Sequence, residues 1–180
     1  MKVMVDVDKT IESALFILNR VGSCDLHKLF KILYFADKEH ITEYGRPITY
    51  DSYIAMKNGP VPSFLYDALK FVKGNNLFFR SPKDVKCFEI AGGYYVGATR
   101  DADVDFLSET DIECLHNSVQ KYKDFSFDKL TAISHDDAWT KADTNEEMQY
   151  LDIASAGGAG VPMLQYIIAN FENHSAFVCL

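Results

Sequence analysis

Val7, Ile11, Ala14, Leu15 and Leu18 recur at intervals of three and four, the spacing that lines one face of an α-helix. A first amphipathic helix is therefore expected, stopping near Gly22. Asp25 is placed to cap a second helix running from Leu26 to about Glu43. From Leu29 to Ala36 only Lys31 is charged, and apolar residues cover nearly the whole circumference. A helix apolar all round is usually buried, so this segment is expected to be the central helix. Gly45 and Pro47 end it. From Ile48 to Met56 successive residues alternate as in a strand, and Asn58-Gly59-Pro60 is a strong turn signal. Pro62 suits the first turn of a third helix, with Val61, Leu65, Ala68, Leu69 and Val72 as its buried stripe.

Val85–Ile90 and Tyr94–Gly97, joined by Gly92-Gly93, predict a β-hairpin. An acidic connection follows. Ser108 with Asp111 has the form of a capping box ahead of a helix presenting Ile112, Leu115, Val119 and Tyr122. Shorter helices are expected at Phe127–Ile133, Asp137–Lys141 and Glu146–Ser155. The glycines at 157, 158 and 160 mark a hinge or a tight helix–helix corner. Pro162 opens a last helix with Leu164, Ile167, Ile168 and Phe171 inward. The expected fold is helix-dominated α+β. It is a bundle around the central helix (about 26–43) with a small antiparallel sheet (about 48–56 and 85–97). A single domain is expected over 1–180, with a hairpin-bearing half (about 1–97) and an acidic helical half (about 108–173).

The 180 residues suffice for one hydrophobic core without disulfides or a structural metal. No apolar run reaches the roughly 20 residues that span a bilayer, and the opening Met1–Asp6 turns acidic at once, unlike a signal peptide. Cys24, Cys87, Cys114 and Cys179 form no C-x-x-C pair, so reduced thiols in a cytoplasm are expected. The charge is lopsided. Residues 1–100 carry 14 basic and 11 acidic side chains, whereas 101–180 carry 4 and 15. Such a chain is a poor general nucleic-acid binder, and its acidic half attracts basic partners.

Three constellations invite a chemical role. Glu39, His40 and Glu43 set a histidine between carboxylates, but only the two carboxylates share a helical face. A metal needs three or four convergent ligands, so a solvated helix end is the expectation. Ser134-His135-Asp136-Asp137 places a histidine beside two acids; helix capping ahead of Ala138-Trp139 is favoured, with a small metal-dependent hydrolase using His135 as the alternative. Lys70, Lys73, Arg80, Lys83 and Lys86 surround the hairpin. A helix, turn, helix and hairpin together resemble a winged helix, which makes a DNA-binding regulator a second alternative. No catalytic residue, cofactor or metal site is assigned.

Leu29, Leu33-Tyr34-Phe35-Ala36-Asp37, Tyr44-Gly45-Arg46-Pro47-Ile48, Asp51, Tyr53 and Gly59-Pro60-Val61 resemble the signature of the Panacea domain, the SocA-like antitoxin family. The run Leu130–Trp139, with His135, is similar to that family's later Ser-His motif. The resemblance implies an antitoxin of a bacterial or prophage toxin–antitoxin pair. Such proteins bind a cognate protein toxin directly, and some deliver it to an ATP-dependent protease. It implies no enzyme and no catalytic residues. Tyr34, Asp37, Tyr44, Arg46, Tyr53, Lys57, Gly59, Pro60, His135 and Trp139 are then the residues that bind the partner or hold the fold. Asp37 and Arg46 are expected to form a buried pair fixing the helix against the strand that follows.

Overall fold

A computed structural model describes residues 4–75 and 85–177, the side chains of 172–177 excepted. The central helix, α2 (Leu26–Tyr44), is as expected. The Asp25 side chain accepts from Lys28 N at 2.8 Å at its start, and Gly45, at φ 75°, donates back to Ile41 O at its end. Leu29, Ile32, Leu33, Tyr34, Ala36 and Ile41 are all fully buried. That demand is met from several sides. α1 (Val7–Val21) precedes α2, while α4 (Glu109–Tyr122) and α7 (Tyr150–Gly157) pack on it from later in the chain. Leu29, Ile32 and Leu33 enter one apolar core with α1 and α4; Tyr34, Phe35 and Ile41 enter a second with α5 (Phe127–Ser134), α6 (Asp137–Lys141), α7 and α8 (Val161–Phe177).

The strands divide into two sheets. β1 (Cys24–Asp25), β5 (Tyr95–Ala98) and β4 (Phe88–Ala91) form an antiparallel sheet in the order β1-β5-β4. The predicted hairpin is thus present, turning at Gly92-Gly93, and the two-residue β1 completes it. β2 (Tyr53–Met56) and β3 (Gly59–Pro62) form a separate hairpin, with Tyr53 opposite Pro62 and Met56 opposite Gly59. α3 (Ser63–Val72) follows, with Leu65, Ala68 and Leu69 buried and Val72 half-buried. The architecture is helix-dominated α+β. The order along this half is α1-β1-α2-β2-β3-α3-β4-β5, so the β2–β3 hairpin stands between α2 and α3.

Several expectations are corrected. The strand predicted over Ile48–Met56 is shortened to β2, because the N–H groups of Ile48 and Thr49 bond to a side chain on α2 and Tyr50 adopts φ 54°. Gly59-Pro60 starts the return strand; Lys57-Asn58 is the turn. Pro62 is the cap of α3, not part of its first turn. The helix expected from Glu146 begins at Tyr150, since 145–148 lies along β2: Ala55 N donates to Glu146 O at 2.9 Å and Met148 N to Tyr53 O at 2.8 Å. Ile168 is 39% exposed, not inward. The capping box at Ser108 and Asp111 has both its bonds, and the glycines after α7 make the tight corner into α8.

Candidate partner-binding site

The residues singled out in the sequence gather at three places along α2, and at each they tie distant segments together. At the first, Asp37 is 1% exposed. Its Oδ1 accepts from Ile48 N (2.6 Å) and Thr49 N (3.2 Å), and its Oδ2 from Thr49 Oγ1 and Tyr53 Oη, both at 2.7 Å. Burial raises its pKa despite those four bonds. Arg46 is absent from this set, so the expected Asp37–Arg46 pair does not form. A carboxylate buried here needs short donors that leave no guanidinium to desolvate, and two backbone N–H groups and two hydroxyls supply them.

Arg46 belongs to the second place. Its Nη2 donates to Asp111 Oδ1 at 2.9 Å, and Lys9 Nζ reaches Asp111 Oδ2. His40 Nε2 lies 3.1 Å from Asp111 Oδ1, and its Nδ1 lies 2.7 Å from Arg46 O. His40 is fully buried, so the solvated helix end expected for Glu39, His40 and Glu43 holds only for the carboxylates. Burial alone would raise Asp111, but His40, Lys9, the Ser108 N–H and Arg46 hold it well below the usual carboxylate range. Tyr44, nearby and half-buried, donates to Glu113 at 3.2 Å.

At the third place the sequence motifs meet in space. Lys31, 1% exposed, donates to Pro60 O at 2.8 Å. Gly59, at φ 94°, lies so close that a Cβ would meet Lys31 Cε at 2.8 Å and collide with Ser134 Oγ. His135 stacks on Trp139 at 3.7 Å, and Trp139 Nε1 donates to Met56 O at 3.0 Å. Asp136 caps α6 through Trp139 N and accepts from Tyr34 Oη and Lys38 Nζ. The Ser134–Asp137 run is therefore built into the fold as a cap, as the sequence favours. Lys57 sits exposed at the tip of the β2–β3 hairpin.

Burial pushes the Lys31 pKa down to about 7. The folded state then binds fewer protons than the unfolded state between about pH 7 and the ordinary 10.5. Stability from this group therefore rises with pH across that window. Lys31→Met is expected to remove this rise, by up to about 1.4 kcal/mol per pH unit. Denaturant unfolding of both forms from pH 7 to 10 checks it; parallel curves would refute it.

Of the predicted basic cluster, Lys70, Lys73 and Lys86 lie among the described residues. Lys70 pairs with Asp67 at 3.7 Å, Lys73 lies over the Tyr94 ring, and Lys86 borders a cleft with Asp8, Glu12, Asp101 and Asp103. The first N–H groups of α3 are taken by Asp51, at 2.8 Å to Phe64 N and 3.0 Å to Leu65 N. Arg80 and Lys83 lie outside the described residues. Among the described residues no three His, Cys, Asp or Glu side chains gather as a metal site.

Nearly every signature residue is thus committed to internal bonds. One open surface among the described residues is a groove of about 580 Å³ bordered by α2, α4, α5 and α7, which includes Phe35, Glu39, Glu43, Tyr122, Phe125 and Ile133. Sequence alone singles out only its Glu39 and Glu43, since Phe35, Tyr122, Phe125 and Ile133 look there like ordinary core or ordinary surface. A family model described as antitoxin SocA-like, Panacea domain, matches residues 29–140, more than half of the chain. Comparison with curated proteins and with solved structures gave no significant match.

Proposed function

We propose, because the chain belongs to the SocA-like antitoxin family and carries its Panacea domain, that it neutralises a cognate protein toxin by binding it directly. The observation that carries this reading is the family match itself, over the segment whose motifs converge on α2. Two features of the molecule support it. Tyr34, Asp37, Tyr53, Gly59 and Pro60 are buried and hold the scaffold, which leaves the surface free to fit one particular partner. Residues 101–180, with 4 basic against 15 acidic side chains, suit a basic toxin, since complementary charge speeds association and selects partners. No described helix is long and apolar enough to cross a membrane, and we place the encounter in the cytoplasm.

Co-expression with the neighbouring reading frame tests the proposal. That frame alone is expected to arrest growth, and this chain to restore it and to co-purify with its product. A harmless neighbour, or a toxic one neither bound nor rescued, sinks the reading. Following the amount of toxin separates two routes. A constant amount under rescue means masking, and a falling amount means delivery to an ATP-dependent protease.

A further inference from the structure

The groove beside α2 has an aromatic floor, with two unpaired carboxylates on the α2 side of its rim. Phe35 stacks on Tyr122 at 4.3 Å, and Tyr122 meets Phe125 edge-on at 5.6 Å. Ile133 borders the floor and is 37% exposed. Four charged side chains stand at the mouth: Lys38, Glu39, Glu43 and Lys121. Lys38 is engaged by Asp136 at 2.7 Å, and on the far side the ammonium groups of Lys121 and Lys129 lie over the Tyr122 and Phe125 rings at 5.2 and 3.5 Å. Among the described residues no cation pairs with Glu39 or Glu43, and Glu39 accepts from Asn117 Nδ2 at 2.8 Å. Glu113 adds to them. Burial, and then the carboxylates of Glu39, Glu43 and Glu113, push the nearby Cys114 thiol up, as a concentrated negative field does.

An apolar floor beside the unpaired carboxylates of Glu39 and Glu43 selects its occupant. The volume lies in the range of roughly 300–1,000 Å³ that takes a compact ligand or a few bulky side chains. An acidic segment is repelled on the α2 side of the rim. A second copy of this chain, at net charge −8, meets the same repulsion. We propose that this groove is the toxin-docking site, and that it receives an amphipathic segment of the toxin presenting a bulky apolar side chain flanked by lysine or arginine. The proposal rests on the antitoxin reading and gives that reading an address. The apolar side chain displaces water from the Phe35–Tyr122–Phe125 floor, where binding energy concentrates. The flanking cations meet Glu39 and Glu43, where charge governs association rate and partner choice.

The test uses the full chain and the purified product of the neighbouring reading frame. Glu39→Lys combined with Glu43→Lys is expected to slow association about tenfold at low salt, a difference that shrinks at high salt as the charges are screened. Ile133→Arg is expected to weaken binding about tenfold or more. Its position is already partly exposed, so its circular dichroism should match the wild type. Glu89→Lys, on β4 away from the groove, is the control for reversing a surface carboxylate and should bind as the wild type does. If the charge-reversed form does not fold, Ile133→Arg decides alone. Folded variants that bind with wild-type rate and affinity overturn the docking site and leave the antitoxin reading standing. A wild-type chain that does not bind the toxin overturns both.

Discussion

Asp37→Ala is expected to destabilise the protein by more than about 4 kcal/mol, a large share of a total stability in the usual range of about 5–15 kcal/mol. The side chain accepts four hydrogen bonds, from Ile48 N, Thr49 N, Thr49 Oγ1 and Tyr53 Oη. Thr49 is fully buried and Tyr53 is 1% exposed, so water cannot replace the lost acceptor without opening the site. Each buried donor left unsatisfied costs about 1–3 kcal/mol, and a cavity adds to that. Asp37→Asn is the informative companion. Its amide oxygen can still take the two backbone N–H groups, and its NH₂ can donate to the hydroxyl oxygens of Thr49 and Tyr53. Its loss should be well under half that of the alanine form. Denaturant unfolding followed by circular dichroism measures both, and an unchanged midpoint for Asp37→Ala would remove this residue from the scaffold.

Asp111→Ala is expected to cost about 3–5 kcal/mol near neutral pH, the usual penalty for removing one partner of a buried ionic cluster. The carboxylate has no exposed side-chain surface and meets Lys9, Arg46 and His40 at once. It also accepts from Ser108 N and so closes the cap of α4. Without it, Lys9 and Arg46 face the buried His40 with no counter-charge between them. The pH dependence has a definite sign. The folded carboxyl titrates below its ordinary value of 3.8. Its stabilisation is therefore present in full above that value and is lost as pH falls toward the folded value. The gap in stability between wild type and Asp111→Asn should narrow as pH falls below about 4. A gap that widens on acidification would contradict the assignment.

These two aspartates show where the sequence was legible. Asp25, Ser108 and Asp136 are recognisable as helix starts because a cap acts on an N–H two or three residues away. The burial of α2 follows from composition alone. The partner of Asp37 does not. Opposite charge nominated Arg46, but Arg46 follows the left-handed turn at Gly45 and ends on Asp111, 65 positions away. The β2–β3 hairpin was half visible. Pro60 and Pro62 disguise β3, although both occupy regular register positions in it. β1 has two residues and exists only because Cys24 and Asp25 pair with Val96 and Tyr95. The groove was not legible, since Phe35, Tyr122 and Ala156 become neighbours only when α4 and α7 close on α2.

Position in the chain gives α2 one more property. It is made early, yet α4 and α7, which cover it, are translated much later. Until they are joined, a ribosome-bound or truncated chain carries an apolar helix without its covering, with Tyr34, Phe35 and Ile41 bare. Such a helix invites chaperones and proteases. Closing α7 over α2 removes that exposed surface, so the burial that the second helix demands is completed only by the last third of the chain.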